Sequence, residues 1–419
     1  MQTINSYKDS RGELLFPIKN NSFVPVECTI SKNKKNVFRG LHANKCSKLV
    51  TCIQGSIIDI IVNLDKTADN YLVPQYFMLS MVDDNSIKQL LVPPNYAHGF
   101  LTLEDNTIIM YHFSDIFKPE ETIHIHYLDP HININLPINI QPIMSDKDNI
   151  QNFAKPIDYV VIGSNGYLGG HIKNILKTQG KNVITLHERL SDIYAIKNKL
   201  SLYKPKYVIN AAGLTGVPNI DWCDDNKEQT IDTNITYQLT LCHICKELDI
   251  HLTILGSGGI FNTTGIKSET DSGDYYDKFY SEARIYLENI VKHYTNVLYL
   301  RINYPISSCS NAKNLLVKIA NFTKIVNTNL SMTCVDTLFP LLSTIIEENT
   351  KGIMNFVNPG IINLIDIKKK YNTHNNISNK FETVKTNERP CPILDTCKIQ
   401  KYNPLNIYDS IDYVINKYV

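Results

Sequence analysis

The sequence predicts two domains of different class, an all-β unit followed by an α/β unit built on a parallel sheet. Three observations carry that expectation. Up to about Pro137 short apolar runs alternate with turn residues and no long helical pattern intervenes. Beyond Pro156 the apolar runs alternate with amphipathic stretches of helical period instead. Between the two regimes lies the polar segment "PIMSDKDNIQNFAKP", which places the boundary between Asn149 and Pro156 and gives domains of residues 1–150 and 156–419. Closely spaced short strands close into a sandwich or barrel, whereas strands separated by helices need crossover connections and pair in parallel. Either length is enough to bury its own core.

In order along the chain, "KLVTCI" and "SIIDIIVNL" flank the turn pair Gln54-Gly55, and "KQLLVPP" and "IIMYHF" follow as further strands. In the second region "DYVVIGS" reads as a strand, "GGHIKNILKTQG" as a helix, and "KNVITL" and "KYVINAAG" as the next strands. Ile172, Ile175 and Leu176 fall at i, i+3 and i+4, one buried helix face, and Gly180 suits a left-handed cap. No internal repeat or low-complexity tract is visible.

The 419 residues carry 42 Lys+Arg against 41 Asp+Glu, a net charge of +1 that gives no bulk electrostatic case for nucleic acid or an acidic membrane. The first residues are polar where a signal peptide has an apolar core, and no run approaches the roughly 18 apolar residues of a membrane span, so a cytoplasmic protein is expected. Ten cysteines lack framework spacing and read as reduced, packed thiols; Cys242 and Cys245 share a helical pattern without a second pair to complete a zinc site.

The stretch "NVFRGLHANKCSKLV" puts Arg39, His42 and Lys48 into an apolar run. Regular strand alternation separates Arg39 from His42, so a shared site needs a bend or a wide pocket mouth. Asp59, His98, Tyr111 and Arg11 likewise interrupt apolar segments. Buried polar groups need partners, and several converging inside one barrel describe a ligand site. The His-x-His of "TIHIHYL", His124 and His126, points one way from a strand, yet the sequence shows neither a nearby third ligand nor a carboxylate, and the reading is an ordinary strand surface with no metal.

The segments "KKNVFRGLHANKCSKLVTCIQGSIIDIIVNLD", "QLLVPPNYAHGF", "MYHFSDIFKPEE" and "LDPHININLP" resemble the dTDP-4-dehydrorhamnose 3,5-epimerases from about Ser6 to Asp148. The resemblance implies a jelly-roll (cupin) that needs no metal, with His42 as catalytic base oriented by Asp148 of "MSDKD". It also implies Tyr111 as the acid, Lys48 beside them, Arg39 and Arg11 at the sugar-nucleotide site, a second pair His98 and Asp59, and a homodimer formed through this domain. A 4-keto group acidifies C3 and C5, and inversion needs base and acid on opposite ring faces, which an imidazole and a phenol supply. A lysine stabilises the enolate between them. Glu27 and Thr29 stand where that family has an amide pair lining the substrate.

"YVVIGSNGYLGG" places Gly163, Gly166 and Gly169 after a strand and at a helix start, the pattern that admits a dinucleotide pyrophosphate. Glu188 in "VITLHERL" is flanked by His187 and Arg189; a basic group there accepts a 2'-phosphate, which favours NADPH, with NADH as the alternative. "KFYSEAR" sets Tyr280 and Arg284 on one helix face. It resembles the Tyr-x-x-x-Lys of short-chain dehydrogenase/reductases with arginine for lysine, a change that keeps charge but not shape. Ser257 takes the place of that family's hydroxyl partner.

"VINAAGLTGVPNIDWCDDNKEQTIDTN", "YLRINYPISS", "LSMTCVDTLFP", "GIMNFVNPGIINL" and "RPCPILDTCKI" resemble the reductase half of plant-type UDP-4-keto-6-deoxyglucose 3,5-epimerase/4-reductases, and more distantly dTDP-4-dehydrorhamnose reductase. That implies a Rossmann-type doubly wound sheet with a small C-terminal substrate subdomain, with Asn210 and Gly213 in the cofactor-side loop and Asn234 on a helix. The plant-type domain epimerises with a cysteine and a lysine; here the lysine is Lys318 and the cysteine position is Gly259. The expectation is a bifunctional nucleotide-sugar epimerase/4-reductase making an L-rhamnose-type donor. A C3-epimerase/4-reductase for a 2-acetamido sugar nucleotide, giving UDP-N-acetyl-L-rhamnosamine, is the alternative that Glu27 and Thr29 motivate. A non-catalytic nucleotide-binding regulatory subunit is the rival of another class, opposed by the joint presence of His42, Lys48, Tyr111, Asp148 and Tyr280.

Overall fold

The computed structural model describes residues 4–18, 23–81, 89–137, 140–150, 152–217, 219–378, 380–385 and 391–418. Arg389 and Pro390 of the "RPCPILDTCKI" segment lie outside them. The chain divides into two compact units, Met1–Lys155 and Pro156–Val419.

The first unit contains β1 (Asn5–Asp9), β2 (Gly12–Phe16), β3 (Glu27–Asn33), β4 (Phe38–Ala43), β5 (Lys48–Gln54), β6 (Ser56–Asn63), β7 (Pro74–Ser80), β8 (Gln89–Val92), β9 (Tyr96–Thr102), β10 (Thr107–Phe113) and β11 (Ile123–His124). The first two strands form a hairpin, and the rest make two antiparallel sheets in the orders β3-β10-β5-β8 and β11-β4-β9-β6-β7. Strand alternation sorts the apolar side chains into two layers. Val50, Cys52, Ile57, Ile61, Phe100 and Ile109 fill the space shared by the two sheets. Phe38, Leu41, Ile60, Val62 and Leu101 pack on the other face of the five-stranded sheet, under Ile125, Ile132 and Met144 of the segment that follows.

Phe38 and Leu41 share that outer layer although they are three residues apart, which regular pleating forbids. A register shift between Arg39 and His42 explains it: Arg39 pairs with Phe100 and His42 with His98, so β4 carries one extra residue there. Gly40 makes this possible, because its φ of +116° and an added Cβ only 2.5 Å from the His98 carbonyl oxygen both exclude a side chain. The bulge turns Arg39 and His42 to the same inner face.

The second unit is a six-stranded parallel sheet ordered Val183–Leu186, Tyr159–Ile162, Tyr207–Asn210, His251–Leu255, Val297–Arg301, Gly352–Asn355. The chain leaves the first strand, Tyr159–Ile162, toward one neighbour and later returns to pair on its other side, a switch point where such sheets bind ligands at their carboxyl ends. Helix Tyr167–Thr178 buries Ile172 and Leu176 against the sheet, and Gly180 adopts φ +75° just past its end. Cys242 and Cys245 are buried in helix Tyr237–Glu247. Among the described residues three two-stranded sheets lie outside the main sheet, and a separate core of Leu316, Ile325, Leu330, Ile367 and Ile411 serves the C-terminal part. No helix among the described residues is long and apolar enough to cross a membrane.

Candidate active sites

In the first unit the inner face of β4 meets charged groups from β5, β6, β9 and β10. His42 is half-buried, and its Nε2 lies 2.5 Å from Asp148 Oδ1. Asp148 reaches it because the segment carrying it runs along β4, bridging Val37 to Ile143 and bonding Phe38 N to the Ile143 carbonyl at 3.0 Å. A turn then bonds the Asp148 amide to the Ser145 carbonyl at 3.1 Å, and the Ser145 hydroxyl donates to Asp148 Oδ2 at 3.0 Å. Burial pushes the Asp148 carboxyl up, but the bonds from His42 and Ser145 outweigh it and hold the group below its usual range. An ionised carboxylate only accepts, so His42 Nε2 donates to it, and the lone pair of a neutral imidazole is then on Nδ1.

Lys48 is almost completely buried and donates from Nζ to the His42 carbonyl at 3.1 Å. Burial lowers its pKa to about 8, with Asp59 opposing the fall. Asp59 and His98 are both buried, with Oδ1 and Nε2 2.8 Å apart, at ion-pair distance but not aligned as a hydrogen bond. His98 is lowered by burial, against the pull of Asp59. Tyr111 faces Thr29 across β3 and Val50 across β5. Burial raises its hydroxyl far above the ordinary range, Asp59 adds to this, and Arg39 opposes it, so the phenol stays protonated at neutral pH. Asp59, Arg39, Asp148, Lys48 and His42 all act electrostatically on these groups, so they lie near one another.

Arg39 is fixed by Asn33, whose Oδ1 accepts from Nε at 2.8 Å. Asn33 was not singled out from the sequence; its place on the inward repeat of β3, with Glu27, Thr29 and Ser31, was the available signal. Glu27 accepts from the Phe117 amide through Oε2 at 2.8 Å. Arg11 is not brought to the pocket within this chain: its side chain is 87% exposed and pairs with Asp9 at 2.6 Å in the β1–β2 hairpin.

In the second unit the glycines make a cradle. A Cβ on Gly163 would stand 2.6 Å from the Ala212 amide, and one on Gly169 would stand 2.2 Å from the Gly163 carbonyl oxygen. Gly166 precedes the helix Tyr167–Thr178 and supplies no side-chain cap, leaving the first-turn amides open to a phosphate. These features fit a dinucleotide pyrophosphate. Asn210 accepts from the Ala212 amide at 3.0 Å and donates to Gln238 at 2.5 Å. Asn234 bonds both backbone groups of Leu214 at 2.8 Å, and Gln238 holds the Ala212 carbonyl at 3.0 Å, so one helical run fixes the loop after Tyr207–Asn210. Gln238, one turn beyond Asn234, was overlooked in the sequence although its spacing put it on the same face. Glu188 pairs with Lys199 at 2.5 Å, while Arg189 is exposed.

Arg284 is buried, with its guanidinium 5.4 Å from the Tyr280 ring centre and its Nε and Nη1 without hydrogen-bond partners among the described residues. A Cβ on Gly213 would stand 2.6 Å from Arg284 Nη2, which brings the cofactor-side loop against the Tyr280 helix, Phe279–Val291. Ser281 donates to the Gly259 carbonyl at 2.8 Å, and Ser257 Oγ accepts from the Gly259 amide at 3.1 Å, so the same helix start is tied to the serine loop. Gly259 is open, its added Cβ meeting only Ser257 Oγ at 3.5 Å, and Lys318 is exposed.

The dTDP-4-dehydrorhamnose 3,5-epimerase family matches residues 3–155, and the NAD-dependent epimerase/dehydratase family matches residues 159–311. A bifunctional dTDP-4-dehydrorhamnose 3,5-epimerase/dTDP-4-dehydrorhamnose reductase of Arabidopsis thaliana is 35% identical over 228 residues, 52% of this chain and 75% of the relative. A trifunctional UDP-glucose 4,6-dehydratase/UDP-4-keto-6-deoxy-D-glucose 3,5-epimerase/UDP-4-keto-L-rhamnose-reductase of the same plant is 30% identical over 303 residues, 68% of this chain and 46% of that longer relative. The crystal structure of a UDP-rhamnose synthase from Acanthamoeba polyphaga mimivirus superposes with a TM-score of 0.59 at 26% identity, covering 63% of this chain and all of the other. Fold and family matches together define an enzyme of two chemistries, a cupin isomerase followed by a nicotinamide-dependent reductase. The chain belongs to the bifunctional epimerase/reductase enzymes of nucleotide-rhamnose synthesis.

Proposed function

We propose that residues 1–155 epimerise C3 and C5 of a nucleotide-linked 4-keto-6-deoxyhexose and that residues 156–419 reduce C4 with NADPH, giving a nucleotide-L-rhamnose. The observation that carries this reading is the His42–Asp148 pair set beside Lys48 and Tyr111. His42 takes the acidified proton through Nδ1, since Nε2–H is committed to Asp148. Lys48, still mostly charged at neutral pH, meets the negative charge that develops on the 4-keto oxygen. Tyr111, kept protonated, delivers a proton to the other face of the ring. Arg39 holds the sugar nucleotide.

In the second unit Gly163, Gly166 and Gly169 hold the dinucleotide, and Asn210 and Gly213 shape the wall beside it. When bound, the nicotinamide supplies a hydride to C4. Tyr280 gives its proton to the C4 oxygen, with the buried charge of Arg284 lowering the cost of the phenolate that remains. Ser257 hydrogen-bonds the same oxygen. Lys199 already neutralises Glu188, leaving Arg189 to receive a 2'-phosphate, which supports NADPH. Two relatives named for UDP sugars favour a uridine nucleotide. Glu27 is engaged with the Phe117 amide, so its difference from an amide does not by itself call for a 2-acetamido substrate.

The test supplies UDP-4-keto-6-deoxyglucose and NADPH in heavy water. The expected product is UDP-L-rhamnose labelled at C3 and C5. Label at C3 alone would replace this reading with a C3-specific one, and absence of NADPH oxidation with either the UDP or the dTDP substrate would overturn the reductase.

A further inference from the structure

One imidazole of the His-x-His pair lies against the ring of His42. His124 pairs directly across from His42 where β11 meets β4, and their rings meet edge to face with centroids 4.6 Å apart. Asp148 also borders His42, and one ligating atom from each of His42, His124 and Asp148 lies within 4.8 Å of the other two. His124 Nδ1 is buried without a hydrogen-bond partner among the described residues. His126 belongs elsewhere: its Nδ1 accepts from the Leu128 amide at 3.2 Å and its Nε2 lies 3.5 Å from Asn149 Oδ1. The third ligand and the carboxylate that the local sequence lacked arrive from residues 82 positions earlier and 24 later, through strand pairing and the turn after Ser145.

We propose that His42, His124 and Asp148 form an inhibitory site for a divalent transition-metal ion of the zinc class. Two imidazoles and one carboxylate are the donor set that Zn2+ and Co2+ accept, at about 2.0–2.2 Å, with one position left for water. Mg2+ is disfavoured because it demands an octahedral shell rich in oxygen. Ligands sharing a tetrahedral ion stand roughly 3.3 Å apart at those bond lengths. The present separations, from 2.5 Å between His42 and Asp148 to at most 4.8 Å, bracket that value, so side-chain rotation suffices. Lys147, which acts electrostatically on His124, and Lys48, bonded to the His42 carbonyl, are cations near the three ligands and moderate their attraction for a dication.

Inhibition follows from electron counting. A neutral imidazole has one lone pair, and an ion on His42 occupies it whichever nitrogen binds, leaving nothing to accept a proton from the sugar. The inhibitory half of the proposal rests on His42 being the base; the binding half does not.

The experiment uses the full chain, freed of metal and titrated with Co2+, read by visible ligand-field absorption. Deuterium uptake into the 4-keto sugar nucleotide and reduction of the already epimerised substrate are then followed with and without Zn2+. Co2+ is expected to bind with a ligand-field band, and Zn2+ to suppress deuterium uptake at least tenfold, reversibly by chelator, while reduction continues. His124→Gln should weaken Co2+ binding at least tenfold and shift Zn2+ inhibition equally, measured against the variant's own metal-free rate. His126→Gln should leave the Co2+ spectrum unchanged, and thermal unfolding of both variants checks their folding. No Co2+ band in the unsubstituted chain, or equal binding by folded His124→Gln, overturns the site. Co2+ binding with undiminished deuterium uptake keeps the site and overturns His42 as the base.

Discussion

Lys48 and Arg284 are both buried cations, and they differ in whether the charge can be lost. Burial brings Lys48 to about 8, so its charged fraction falls as pH rises through that value. Epimerisation is therefore expected to decline above pH 8, approaching tenfold per unit, while reduction of an already epimerised substrate does not share the decline. A pH–rate profile for deuterium uptake checks this, and a flat profile through pH 8 would remove Lys48 as the cation facing the enolate. Arginine remains charged throughout that range, so Arg284 cannot titrate. If it acts by charge alone, Arg284→Lys should keep a measurable part of the reductase rate, whereas Tyr280→Phe should lose nearly all of it. Normal reduction by Tyr280→Phe would show that another group donates the proton. At the dyad, His42→Ala should cost roughly two to four orders of magnitude in deuterium uptake. Asp148→Asn should cost severely too, because an amide no longer fixes the Nε2–H tautomer, and neither change should alter NADPH binding.

Elements place these residues, and they differ in how far the sequence reveals them. The strand, glycine loop and helix from Tyr159 to Thr178 are legible because each glycine answers to a local demand and Ile172 and Leu176 keep helical period. The all-β class of the first unit is legible from short apolar runs broken by turn residues, although β6 and β9 bury nearly every residue, both faces of their sheet being covered. The bulge in β4 is not: it depends on Gly40 lying against Gly99 of another strand, a contact nothing near residue 40 encodes. For the same reason His124 read as strand surface, its neighbour being fixed by the register between β11 and β4. Two glycine substitutions separate packing from vacancy. Gly169→Ala drives a Cβ into the Gly163 carbonyl and is expected to cost about 1–3 kcal/mol or more and to abolish NADPH binding, read by thermal unfolding and fluorescence titration. Gly259→Ala meets only Ser257 Oγ at ordinary contact distance and should leave the unfolding temperature nearly unchanged.

At the scale of the whole molecule, each unit has cores of its own and carries the residues proposed for one reaction. The clusters around Phe38 and Val50 belong to residues of the first unit, and those around Tyr159 and Ile306 to the second. Epimerisation passes through an enolate, so every inverted centre picks up a solvent proton and, in heavy water, deuterium. A fragment of residues 1–155 is expected to fold and to label a 4-keto-6-deoxy sugar nucleotide without NADPH. A fragment of residues 156–419 should bind NADPH and reduce the epimerised substrate, yet introduce no label. Gly259 has no side chain and Lys318 is exposed, and a single group cannot both remove and return a proton on opposite ring faces. Failure of the first fragment to label while the full chain does so would mean that its pocket needs residues from beyond itself. Labelling by the second fragment would instead place an epimerase site in the reductase unit, and the division of the two reactions between the units would fall.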